Sequence, residues 1–287
     1  MLRKAMYTLF RGYIDDSEHK GMFTLSCLSA KPTTWTWVSI DWETCLEKKN
    51  EELKKRGRKT ISRYHASDCS NGYKEFKGWS KPEIDDFTKE LLGVFAKPSS
   101  DGLQVFASSV SLRDIETVFP EASPDPPAFA NALMLHCIML EMAGWIAKAN
   151  KPEDYSQLKV ALVHERGDYN ATLRRVFDTT KVVSPLCRTF FTTLVPMGWE
   201  DCLQLQPADL LAYEECKERE RNPAERPKMR RSLEKIQSTK EFGGITKGFT
   251  LERLQKARKF VTQELWEQFL LDANLARKRT TEDGQLP

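Results

Sequence analysis

Aromatic and β-favouring residues dominate Tyr7 to Asp16, a run that ends in the polar cluster Asp15-Asp16-Ser17 and predicts a first strand. In Gly21 to Ala30, Phe23, Leu25 and Cys27 alternate with Thr24 and Ser26, which predicts a second strand. The Ser17–Lys20 link is short enough for a hairpin, so the two strands are expected side by side and antiparallel. The period then changes. Trp35, Val38, Trp42, Cys45 and Leu46 recur at three- and four-residue spacing, predicting a helix from about Thr34 to Arg56 that Gly57 closes. Thr60 to Asp68 reads as a short strand entering a polar loop. Ser80, with Pro82 early in the helix and Glu83 three residues on, has the pattern of a capping box and predicts a helix to about Lys97.

Leu103 to Val110 is a further strand candidate, and Ser123 to Pro127 a proline-rich break. Ala128 to Ala149 is apolar over much of a helix circumference and predicts a buried helix. The nearly continuous apolar run Leu158 to Glu165 suits a parallel strand covered on both faces. A helix at about Tyr169–Thr179, a strand at about Arg188–Val195 and a helix at Pro207–Arg221 follow. Past Arg221 the chain turns polar, basic and proline-punctuated, which suggests a linker. A C-terminal helix over about Leu251–Arg277 comes next, with no ordered structure expected beyond it. No internal repeat is visible. A hairpin, inserted helices and then alternating strands and helices predict an α/β fold with a mixed sheet. The domain division expected is 1–222, with a helical insertion at about 33–97, followed by a basic linker and helical extension over 223–287.

Composition narrows the function classes. The 287 residues carry 44 Lys and Arg against 41 Asp and Glu, a net charge of +3, which excludes a polycationic nucleic-acid coat but not a local basic patch. The basic stretch Lys217–Lys235 is interleaved with glutamates and reads first as a solvated face. No uninterrupted apolar run reaches the length of a membrane span, so no membrane association is expected. The apolar run near the N-terminus is too short, and too interrupted by Arg11 and Gly12, for a signal peptide. Seven scattered cysteines without a C-x-x-C pair, and only four histidines, argue against a zinc framework and for reduced thiols in a cytoplasmic protein. No P-loop, G-x-G-x-x-G or G-x-S-x-G motif is present.

Four polar clusters stand at predicted strand ends or at a helix start: Asp15-Asp16-Ser17, His65-Ala66-Ser67-Asp68, His164-Glu165 with Asp168, and Gln206-Pro207-Ala208-Asp209. Ligands of open α/β sheets gather at strand carboxyl ends, so the four are candidates for a single site. Converging carboxylates repel one another unless a hard divalent cation neutralises them. Each cluster also has a plainer reading. Asp15-Asp16-Ser17 suits a turn, Asp168 a helix N-cap, and Asp209 the first turn of a helix. His65 on its own suits a structural histidine. His136 and Glu141 read as packing or surface residues. Trp35, Trp37 and Trp42 read as core. Glu165, directly after an apolar run, is harder to explain without a partner.

Tyr13-Ile14-Asp15-Asp16-Ser17 resembles the opening Y-I-D-E-S motif of the bacterial proteins grouped as domain of unknown function 3800. Leu205-Gln206-Pro207-Ala208-Asp209-Leu210-Leu211-Ala212 resembles their closing L-Q-x-A-D-L-L-A motif. His65–Asp68 and Glu165–Tyr169 also resemble segments of one branch, and the likeness covers roughly residues 7–222. The resemblance implies a ribonuclease H-like fold and divalent-metal phosphodiester chemistry, with Asp15 and Asp209 as metal ligands and Glu165 at the acidic position after the fourth sheet strand. Asp16 would be a further ligand, with Gln206 and Ser17 in support. Two departures stand out. Asp16 replaces the usual Glu, and no motif supplies the acid such enzymes carry on the first long helix. Glu141 is the one candidate there, with His65 or Asp68 as substitutes.

The expected function is therefore a nuclease or phosphodiesterase that uses Mg²⁺ or Mn²⁺ to activate water. Asp15, Glu165, Asp209, His65 and Asp68 would be its catalytic set, His65 as a proton-transfer group, and nucleic acid its partner. The competing reading is a catalytically inactive module of the same fold that binds nucleic acid or a protein. An unrelated small-molecule enzyme is the third.

Overall fold

The computed structural model describes residues 8–97, 102–122, 124–221 and 243–260. Six strands form one mixed sheet: β1 (Thr8–His19), β2 (Met22–Ala30), β3 (Gln104–Ser111), β4 (Leu158–Glu165), β5 (Phe191–Met197) and β6 (Gly243–Phe249). Their order across the sheet is β5-β4-β1-β2-β3-β6. β2 runs antiparallel to both neighbours, and the β1–β4, β4–β5 and β3–β6 pairs are parallel. The helices are α1 (Pro32–Lys55), α2 (Ala66–Asn71), α3 (Lys81–Val94), α4 (Leu112–Val118), α5 (Pro126–Ala149), α6 (Asn170–Val183), α7 (Pro185–Phe190), α8 (Leu205–Glu220) and α9 (Leu251–Phe260).

Strand alternation divides the core in two. On one face Ile14, Cys27, Phe106, Val160 and Leu162 pack with apolar residues of α5, α6 and α7. On the other, Tyr13, Leu28 and Val105 pack with α1, α3 and α8. α5 has the length and apolarity of a membrane span, yet most of it is buried against the sheet and α6, as a core helix requires. Asp125 Oδ1 accepts the N–H of Ala128 to start it. The capping box at α3 forms as the sequence predicts, with Ser80 and Glu83 exchanging hydrogen bonds.

Gly12 of β1 is crowded by side chains of the two neighbouring strands, β4 and β2. A Cβ there would lie 2.7 Å from Leu162 Cδ2 and 2.8 Å from Cys27 Sγ, both in fully buried residues. Gly12→Ala is therefore expected to destabilise the fold by about 1–3 kcal/mol through overpacking. A urea-denaturation midpoint equal to that of the wild type would contradict this.

Several expectations are corrected. Asp15-Asp16-Ser17 is not a turn. β1 continues to His19, and the reversal is made by Lys20 and Gly21, with φ of 47° and 75°, the two left-handed residues of a tight hairpin. Thr60–Asp68 is not a strand, because its backbone groups bond to side chains instead of a neighbouring strand. Ile61 N–H and C=O pair with Asn50, Tyr64 N–H with Gln206, and Ala66 N–H with Asp209. The strand expected from Arg188 starts only at Phe191, since Ser184 caps and Pro185 begins α7. β4 is fully buried on one face only, its other face being half-buried. Trp35 and Trp42 are core residues, whereas Trp37 is exposed. The boundary expected after residue 222 is crossed by the sheet: β6 is the outermost strand beside β3, and α9 packs on α4. Glycines at 243, 244 and 248 break the alternation that would have revealed β6. The proline-rich basic stretch after Arg221, and the C-terminal helix beyond Phe260 with the tail after it, lie outside the described residues.

Candidate active site

The carboxyl ends of β1 and β4 lie side by side. Ile14 pairs with His164, so the next residues along these parallel strands are Asp15 and Glu165. Both share a face with Tyr13 and Val163, which pack on the α8 side. α8 crosses β1 and β2 on that same face, and Ser26, which pairs with Asp15, donates its hydroxyl to the carbonyl of Ala208 (3.1 Å). The start of α8, with Asp209, is thereby tied to the sheet beside Asp15. Three acids distant in the sequence thus come near enough for the charges of Asp209 and Glu165 to act on Asp15.

Their charges act on one another. Burial, then the charges of Asp209, Asp16 and Glu165, push the Asp15 carboxyl well above the usual carboxylate range, and the Asp16 N–H, donated to Asp15 Oδ1 (2.9 Å), offsets this only in part. Burial also pushes Asp209 up to about 6. Glu165 adds to that rise, while His65, the Ala66 N–H and Arg63 oppose it. Asp16 points to the opposite face of β1, where its charge reaches Tyr169. It too is pushed up to about 6, by lost hydration and by Glu165, Asp209 and Glu18. Because Asp16 keeps an exposed side, we assign more of its rise to the neighbouring charges than to burial.

α8 begins at Leu205, so Asp209 lies beyond its first turn and does not serve that helix's own N-terminus. Its Oδ2 instead accepts the N–H of Ala66 (2.7 Å), the first residue of α2. That leaves Oδ1 as its remaining acceptor. Gln206 has a related task. Its amide oxygen accepts both the Trp42 indole N–H (3.2 Å) and the Tyr64 N–H (2.9 Å), all within the buried interior. Gln206 thereby fastens α1 and the 60s segment to α8.

That segment delivers His65 and Asp68. His65 is the N-cap residue of α2, and its Nδ1 lies 2.8 Å from Asp68 Oδ2, close but not aligned as a full hydrogen bond. Lys74 Nζ lies 2.9 Å from the same oxygen. Burial would raise Asp68, but Lys74 and His65 outweigh it and hold the carboxyl below its ordinary value. Ser17 lies on the Asp15 face of β1, against Cys216 of α8.

Other candidates fall elsewhere. Glu141 lies on α5, across the sheet from α8, and pairs with Lys247 of β6 (2.7 Å). His136 is a packing residue bonded to Thr180 (2.9 Å), and burial lowers it to about 4. Asp168 is exposed and is not the cap of α6, whose N-cap position is Tyr169.

Sequence reasoning missed Arg63 and Trp199. The Arg63 guanidinium lies 4.2 Å from the Trp199 ring centre and 3.6 Å from Glu165 Oε1. It thus joins the acids to a cavity of about 340 Å³ lined by Lys59, Arg63, His65, Lys74, Phe76 and Trp199, among others. The only advance signal was the position of Arg63 two residues before His65.

The donor chemistry suits a hard cation: carboxylate oxygens from two strand ends and a helix start, with protonation favoured where no cation neutralises them. As they stand, no three His, Cys, Asp or Glu side chains among the described residues are drawn together tightly enough to hold an ion. No family model matches the chain, and comparisons with curated proteins and with solved structures give no significant match.

Proposed function

We propose that this chain is a ribonuclease H-like nuclease or phosphodiesterase dependent on a divalent metal ion, Mg²⁺ or Mn²⁺. The observation that carries the reading is the approach of Glu165 and Asp209 to Asp15 at one end of the sheet, where both raise its carboxyl. The strand order supports the fold: within β5-β4-β1-β2-β3, β2 alone runs against the rest, a mixed sheet opened by the antiparallel hairpin that the sequence predicts. Asp15, Glu165 and Asp209 would hold the ion, with Asp16 at the rim. A bound divalent cation neutralises a phosphodiester and makes a bound water more acidic.

The chain's own groups supply the remainder. Asp68 lies against the Nδ1 side of His65, so Nε2 would be the nitrogen that holds or hands over a proton. Arg63, beside Glu165, supplies positive charge where a phosphate would approach. Gln206 and Asp209 hold the segment bearing both residues.

The alternative, a silent module that binds nucleic acid or a protein, draws on one observation: Glu141 lies off the site, so the helix acid is missing. Incubating labelled DNA and RNA, single- and double-stranded, with Mg²⁺, Mn²⁺ or chelator separates the two. The proposal expects cleavage that chelator stops and that Asp209→Asn reduces to background. Binding without turnover under every metal condition would favour the silent module.

A further inference from the structure

We infer that the cavity beside the acids is a binding site for one unpaired nucleotide of a nucleic-acid strand, with its base against the Trp199–Arg63 layer and its phosphate toward Lys59. The inference rests on the proposed function only in taking as ligand the strand that the acids would cleave.

The argument starts from charge. Among the charged groups lining the cavity, the two carboxylates are already engaged. Asp68 is held by His65 and Lys74, and Glu75 accepts from the backbone N–H and hydroxyl of Ser62, both at 2.9 Å. Lys59 is exposed and makes no ion pair among the described residues, and Arg63 forms an ion pair with Glu165, at 3.6 Å. With Lys59, Arg63 and Lys74 against Asp68 and Glu75, the lining carries more cations than carboxylates, although the acid cluster next to it is negative. A small neutral or cationic ligand gains little from such a wall, whereas a phosphodiester gains at each cation.

Shape and aromatic content restrict the ligand further. Trp199 is partly exposed and, with Phe76, gives the cavity its aromatic lining. The Arg63 guanidinium over the indole ring puts a cation and an aromatic side by side, the two kinds of group on which nucleobases stack. A base inside a duplex already has both faces covered by its neighbours and cannot also enter a side pocket of this size. The ligand is thus a single strand, or a strand with one base turned out. Because Arg63 touches both the cavity and Glu165, a nucleotide seated there would place its neighbouring phosphate toward the acids.

The test is fluorescence anisotropy of end-labelled oligo-dT, oligo-U and a blunt duplex of equal length, with the full chain in chelator so that nothing is cleaved. The single strands should bind more tightly than the duplex. Trp199→Ala should weaken single-strand binding by roughly 5- to 100-fold, and Trp199→Phe should restore most of it. Lys59→Ala should lower the slope of log affinity against log salt by about one without changing the preference for single strands. Oligo-dT against oligo-U reports whether the sugar is read. Circular dichroism shows whether the variants are folded, and Lys59→Ala, at an exposed position, keeps the test decisive should Trp199→Ala unfold. Equal or tighter duplex binding, or unchanged affinity in both Trp199→Ala and Lys59→Ala, would overturn the inference even if metal-dependent cleavage were found. Single-strand binding with these losses, in a protein that never cleaves, would uphold the cavity and defeat the proposed catalysis.

Discussion

Asp15→Asn is expected to raise the melting temperature of the metal-free protein and to remove its response to Mn²⁺. The acids at the end of β1, β4 and α8 oppose one another when ionised, so deleting the central charge relieves the cluster. Relief of about 1–2 kcal/mol corresponds to roughly 2–8 °C for a domain of this size. The sign of the pH dependence follows from Asp209. Its carboxyl is raised in the folded chain, so the stability it contributes is complete below pH 4 and is lost as pH climbs through about 6. Metal-free wild type should thus be more stable at pH 5 than at pH 8, and Mn²⁺ should restore more stability at pH 8 than at pH 5. Both effects should shrink in Asp15→Asn. Thermal melts at two pH values, with and without Mn²⁺, provide the measurement; a lower melting temperature for Asp15→Asn in chelator would contradict the crowding of charge.

The second large effect is expected at Gln206, through structure and not through metal. Gln206→Leu keeps a side chain of similar size but strips the acceptor from the Trp42 indole and from the Tyr64 N–H, both buried. Each donor left without a partner costs about 1–3 kcal/mol, so a loss of roughly 2–5 kcal/mol is expected. The consequence should be local first. Tyr64 lies one residue before His65, so the 60s segment, which has no strand partner, should loosen before the sheet does. Amide exchange resolved by residue should show protection falling at residues 61–69 while β1 and β4 keep theirs. Gln206→Glu, which retains the acceptor oxygen, should recover part of the stability. Uniform loss of protection across the whole chain would mean that Gln206 supports the fold at large and has no special hold on the His65 segment.

The sheet was legible because period-two alternation in β2 and the apolar run of β4 are local facts. Asp15 and Asp209 stood out as members of polar clusters at a predicted strand end and a predicted helix start, and through the family resemblance of the motifs that carry them. Whether Asp15 faces α8 or α5 depends on strand register, which the sequence does not encode locally. The Thr60–Asp68 segment looked like a strand because its residues favour one. Only the tertiary structure supplies Asn50, Gln206 and Asp209 as its hydrogen-bond partners. Lys247 claims Glu141 from a strand that its own glycines concealed. The Arg63–Trp199 contact joins residues far apart in the chain that carry no shared period, so no pattern could have announced it.

The most direct check is a calorimetric titration of Mn²⁺ into three folded proteins: wild type, Asp15→Asn and Glu141→Gln. The account predicts saturable binding to wild type and to Glu141→Gln, whose side chain lies on the other face, and loss of that binding in Asp15→Asn. Wild type that takes up no Mn²⁺, or Asp15→Asn that binds it as wild type does, would show that these acids do not gather around a cation.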